Sequence, residues 1–135
     1  MPLRNGFFLA GDERVNENIM LTGFHILFIR EHNRICEKLK KQEPLLNDEE
    51  LYQAARHFVI GLLQKIVFDE FLPILLGKKG FEKHIGPYTG YKPYLNPNIA
   101  TEFSTAAFRY GHSLLLDRYP AADKNGFIYH RHPLG

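Results

Sequence analysis

The stretch Phe58-Val-Ile-Gly-Leu-Leu-Gln-Lys-Ile-Val-Phe68 constrains this chain more than any other. It is the later part of a helix expected from about Asp48 to Phe71, and it is apolar nearly all round. A helix without a polar face needs other elements on most of its sides. A chain of 135 residues, enough for one domain or part of one, has few elements to supply them. The start of this helix is well marked. Asn47 is placed to cap it, Glu50 follows three residues on, and Asp48-Glu49-Glu50 put negative charge in the first turn. Pro73 kinks or ends it. Exposed apolar surface and self-association are expected if the chain stands alone.

Two more helices flank it. The first runs from about Asn16 or Asn18 to Lys41, where Leu21, His25, Phe28, His32, Ile35 and Leu39 recur at spacings of three and four as one stripe. Lys40 and Lys41 suit the negative end of its dipole, and Pro44 stops it. The third runs from about Pro97 to Leu115 or Leu116, with Asn96 as cap and Pro97 in the first helical position. A Pro- and Gly-rich loop from Gly77 to Pro97 separates the second and third. After Arg118 no period is visible. Asp123-Lys-Asn-Gly126 reads as a turn, and Phe127-Ile-Tyr as a short strand at most. The fold class is mainly α.

Composition narrows the function classes. Apolar residues make up 44% and charged residues 24%, which is the balance of a globular chain. The net charge of +2 is too small to point to nucleic acid or an anionic membrane as partner. Cys36 is alone and closes no internal disulfide. No apolar run reaches the roughly 18–20 residues of a membrane span, and the first residues carry no signal-peptide core.

Four residues stand out for chemistry. His112 follows Gly111, and Arg109 lies one turn before it; an imidazole can ligate a metal or haem iron, with the Arg holding an anionic group beside it. Arg14 and Glu17 share a helix face if a helix has begun there. A buried Arg can stabilise an oxyanion, and a buried Glu can act as acid, base or nucleophile. On spacing alone, solvated side chains on polar helix edges account for both pairs. His25 and His32 are read as core-edge histidines bonded to carbonyls. Arg30-Glu31-His32-Asn33-Arg34 is read as a polar network, and His130-Arg131-His132 as a solvated tract with a weak metal-binding look.

Taken in order, the segments resemble the animal-type haem peroxidase superfamily. Phe8-Leu-Ala-Gly-Asp-Glu-Arg-Val-Asn-Glu17 is similar to the segment with the distal arginine and the haem-linked glutamate. Leu21-Thr-Gly-Phe-His25 and Phe28-Ile-Arg-Glu-His-Asn-Arg34 match the long helix after it. Leu51-Tyr-Gln-Ala-Ala-Arg56 and Phe71-Leu-Pro-Ile-Leu-Leu-Gly77 match the next helix and its proline exit. Ala107-Phe-Arg-Tyr-Gly-His112 resembles the proximal haem-ligand motif. The resemblance covers about residues 6–116 of what reads as a single partial domain, leaving 117–135 as an irregular tail. The order and spacing of the segments outweigh the plain readings of the two pairs.

The resemblance implies part of the helical animal haem peroxidase fold and a haem-dependent peroxidase. Such an enzyme reduces hydrogen peroxide, oxidises a small donor such as a halide or phenol, and serves in the response to oxidative stress. His112 would be the axial ligand of the iron of haem b, and Arg109 would lie near a propionate. Arg14 would act on the peroxide, and Glu17 could form an ester to haem. A secreted or extracellular setting is implied too. Asn18 stands where a family member has a methionine linked to haem, and an amide cannot make that link. The family's distal histidine, its calcium loop and the asparagine behind the proximal histidine are expected outside these residues, so the chain reads as a truncated fragment. Two alternatives stay open: a non-catalytic helical module derived from a peroxidase, and a related fatty-acid dioxygenase. The second would need a Tyr where Arg109 stands.

Overall fold

A computed structural model describes residues 1–133, with side chains to residue 128. The chain divides into two compact units, residues 1–88 and 89–135.

The first unit opens with a two-stranded hairpin, β1 (Leu3–Arg4) and β2 (Phe7–Phe8). Asn5 and Gly6 join the strands with φ of 52° and 84°, the left-handed pair that a two-residue hairpin turn requires. Asn16 ties this hairpin to the next turn. Its side-chain carbonyl accepts the Phe8 N–H at 2.9 Å and its amide donates to the Phe8 carbonyl at 2.9 Å, so it pairs with β2 as another strand would. A short 3-10 helix, Glu13–Asn16, follows.

Helix α1 spans Ile19–Gln42, capped by the Asn18 side chain at 2.9 Å from the Leu21 N–H. Its expected stripe is the face turned inward: Ile35 is buried, and Leu21, His25, Phe28, His32 and Leu39 are half-buried. Helix α2, Asp48–Ile66, starts with the full reciprocal cap. Asn47 accepts the Glu50 N–H at 3.0 Å, and the Glu50 carboxylate accepts the Asn47 N–H at 2.8 Å. Val15, Ile35, Leu51 and Ala55 are buried, and α1 packs against both α2 and the 3-10 turn that carries Val15. The three larger ones contribute about 1.5–3 kcal/mol each on burial. The all-round apolar part of α2 lacks the enclosure it calls for: Phe58 is 57% exposed, and Ile60, Leu63, Val67 and Phe71 are exposed as well.

Pro73 does not stop the chain. The helix widens into a π turn over Val67–Phe71, where the Leu72 N–H reaches back five residues to the Val67 carbonyl. The wider turn accommodates the proline ring, which would otherwise press on the Asp69 carbonyl. Helix α3, Leu72–His84, continues from it. It is interrupted at Gly77, whose φ of 69° and ψ of 154° no helix contains.

The second unit corrects two expectations. Residues 97–116 do not form one helix. Helix α4 is only Thr101–Thr105, Ala106 leaves helical geometry, and a 3-10 helix covers Ala107–Leu114. Asn96 accepts the Asn98 N–H at 3.0 Å, which makes a local turn instead of a helix cap. The Ser104 and Thr105 hydroxyls both donate to the Thr101 carbonyl, at 3.1 and 2.6 Å, competing for an acceptor of the helix ladder. The tail beyond 117 is not irregular. Strands β3 (Arg118–Ala122) and β4 (Ile128–Pro133) pair antiparallel from Arg118 opposite Pro133 to Ala122 opposite Ile128. The expected turn joins them, with the Asp123 carboxylate accepting the Asn125 and Phe127 N–H groups at 2.8 and 2.9 Å.

Candidate functional site

The candidate residues fall two to a unit. In the first, Asp12 caps the 3-10 helix and binds Arg14 in three ways. Its carboxylate accepts the Arg14 backbone N–H at 3.0 Å, Nε at 2.9 Å and Nη2 at 2.6 Å. The Arg14 side chain is 67% exposed, so the pair sits in water. The guanidinium holds the Asp12 carboxyl down at about 2, and the carboxylate in turn raises Arg14 above its ordinary range. A guanidinium has five N–H donors. Two are given to Asp12, which leaves the Nη1 pair and one on Nη2 for another acceptor. Glu17 ends the same turn, its N–H donating to the Arg14 carbonyl at 2.9 Å, and its exposed side chain is not paired with Arg14. The burial that would sharpen either group is absent within this unit.

In the second unit, Arg109 and His112 lie on the 3-10 helix Ala107–Leu114. Three residues make one turn of such a helix, so the two side chains leave the same edge. Both are exposed. A Cβ built on Gly111 would meet nothing within 4 Å, so the ground next to His112 is open. Among the described residues no group of three or more His, Cys, Asp or Glu could hold a metal ion. A lone imidazole suits a metal whose other ligands come from elsewhere, as the iron of a porphyrin does, with a cation one turn away for a carboxylate on the ring edge. The donor set fits haem.

The plainer readings hold for the other histidines. His25 donates through Nδ1 to the Leu21 carbonyl at 2.8 Å, and His32 through Nε2 to the Tyr52 carbonyl at 3.1 Å. Both line an apolar cleft of about 620 Å³ between α1 and α2, with Leu21, Phe24, Phe28 and Leu63. Only His32 of the segment Arg30–Arg34 crosses to α2; Arg34 pairs with Glu31 on its own helix at 2.7 Å. The side chains of His130, Arg131 and His132 lie outside the described residues. Sequence reading missed the role of Asp12. An N-cap carboxylate two residues before an Arg was the available signal.

The family model described as animal haem peroxidase matches residues 2–133. The chain belongs to the animal haem peroxidase family. This peroxidase-family chain is 46% identical over 108 residues to peroxidasin of Drosophila melanogaster, covering 80% of itself and 7% of that protein. It is 45% identical over 118 residues to lactoperoxidase of Mesocricetus auratus, covering 87% of itself and 16% of the relative. With human thyroid peroxidase the figures are 38% over 130 residues, 96% and 14%. Among solved structures it is similar to peroxidase A of Dictyostelium discoideum, with a TM-score of 0.80 and 35% identity over 94% of this chain and 24% of that one. The chain thus spans a small part of the length of its relatives. The mainly helical fold expected for the family is present, and no helix among the described residues is long and apolar enough to cross a membrane.

Proposed function

We propose that this chain carries part of the haem site of a peroxidase that reduces hydrogen peroxide while oxidising a small donor, a halide or a phenol. The observation that carries it is the pairing of Arg109 and His112 on one edge of the 3-10 helix, both open to solvent, in a chain of this family. Haem, when bound, supplies the redox centre for both half-reactions.

The chain's own residues do the rest. His112 would hold the iron of the bound group through one imidazole nitrogen. Arg109, one turn before His112, would offer a fixed positive charge to a propionate of the bound group. Arg14, its guanidinium plane held by Asp12, keeps three N–H donors that would suit peroxide and the negative charge that develops on an oxygen as the O–O bond breaks. Glu17 offers a carboxylate for an ester link to the cofactor. An extracellular setting and a part in the response to oxidative stress go with this reading.

A haem titration followed by visible absorption tests it, on the wild type and on His112→Ala. The mutated side chain is exposed, so the fold is expected to survive. A saturable Soret shift lost in the variant supports the assignment. Absence of saturable binding in a folded sample defeats it. A non-catalytic helical module would then lead.

A further inference from the structure

Residues 89–100 join no helix or strand, and they carry two tyrosines three apart. Tyr91 is 84% exposed and Tyr94 80% exposed. A turn closed by the Leu95 N–H on the Lys92 carbonyl at 3.1 Å lies between and around them. Neither ring packs on another aromatic ring among the described residues.

The other described tyrosines are differently placed. Tyr52 sits on α2 with its ring 5.2 Å from that of His32. Tyr88, 69% exposed, stands edge-on to Phe68 with the ring centroids 6.1 Å apart. Tyr110 is within the 3-10 helix and less exposed, and Tyr119 is half-buried in β3.

We propose that Tyr91 and Tyr94 form an oxidative coupling site, at which copies of this chain become joined through dityrosine. Each phenol loses one electron and its hydroxyl proton to give a phenoxyl radical. Two radicals join by a carbon–carbon bond ortho to the oxygens, and the two displaced ring hydrogens move as protons to those oxygens. Hydrogen peroxide takes up the two electrons and two protons, its O–O bond breaks, and two water molecules leave. Coupling requires the ortho edges of two rings to meet. Rings that are four-fifths open to solvent and pack on no other ring meet a second molecule more readily than the ring of Tyr88, which stands against Phe68, or that of Tyr52, which stands against His32. The proposal rests on the peroxidase reading for the natural source of the oxidising step, but the coupling chemistry does not need this chain to supply it.

The test has two arms. In one, the purified chain is treated with hydrogen peroxide and an added soluble peroxidase that oxidises phenols. In the other, haem replaces the added enzyme. Products are read on reducing gels, by dityrosine fluorescence and by mass spectrometry of cross-linked peptides. The first arm is expected to give covalent dimers linked at Tyr91 or Tyr94. They should vanish in the double variant Tyr91→Phe/Tyr94→Phe and persist in Tyr52→Phe. Dimers that survive the double variant, links at Tyr52, Tyr88, Tyr110 or Tyr119, or no covalent dimer at all would overturn the proposal. Dimers in the first arm and none in the second leave the coupling site standing and count against the peroxidase reading.

Discussion

The Asp12 carboxylate binds Arg14 by both of its oxygens and by the backbone as well, at 2.9, 2.6 and 3.0 Å. The pair is exposed, so it adds little to folding. Its effect is to fix where the guanidinium points. Because Asp12 is held down to about 2 from 3.8, the pair is present above pH 3.8 and is lost as pH falls through about 2. The Arg14 Nε–H resonance should therefore shift with a midpoint near that lower value. A midpoint at the ordinary carboxylate value would mean that the pair does not persist in solution. In Asp12→Asn the resonance should lose its acid transition while the helical circular dichroism stays unchanged.

Arg109→Ala should weaken haem binding without abolishing it. An exposed charge pair with a propionate is worth about 0.5–1 kcal/mol, or roughly two- to fivefold in affinity. The Soret maximum of the bound form should not move, because the iron ligand is untouched. A moved maximum in the titration would mean that Arg109 acts through His112 instead.

Two glycine substitutions should act with opposite sign. Gly77→Ala places a side chain at a φ of 69° and ψ of 154° and should cost about 1–3 kcal/mol. Gly23→Ala lies within α1 with open space at its Cβ and should stabilise by about 0.4–1 kcal/mol. Urea unfolding of the two variants against wild type measures both, and equal signs would contradict the helix break at Gly77.

Phe58, Leu63, Val67 and Phe71 leave apolar side chains exposed around α2 and the turn after it. Apolar side chains exposed in this number favour self-association. Sedimentation should give a mass that rises with concentration, and an apolar-surface dye should bind. Phe58→Lys with Val67→Lys should reduce both. A monodisperse wild-type monomer that binds no dye would rule out this behaviour.

How much of this was legible depends on what each segment relies on. The α1 stripe and the Asn47–Glu50 cap are local periodicity and local chemistry, and both appear where expected. The helix expected from Pro97 failed because Asn96, Ser104 and Thr105 spend their polar groups on nearby backbone, which competes with helix over a few residues. The β3–β4 ladder was hidden because Pro120 sits within a strand, and a two-stranded ribbon accepts it where a central strand would not. The first hairpin was legible but unread: Asn5-Gly6 carries the same signal as Asn125-Gly126. At the candidate site, residue order pointed to Arg14, Glu17, Arg109 and His112. That Asp12 would hold Arg14 was signalled only by a carboxylate two residues before it, in a place to cap the turn.

The π turn at Val67–Phe71 also sets a phase. One residue more than an α-turn resets the angular position of everything after it by about 100°. Ile74 and Leu75 therefore point in a direction that a straight continuation of α2 would have given to their neighbours. Deleting one residue from this turn would restore the phase of α2 but drive the Pro73 ring against a carbonyl. Removing Pro73 as well would allow an unbroken helix with a different apolar seam. The widened turn and its proline thus behave as one unit, and a change to either alone misdirects the same side chains.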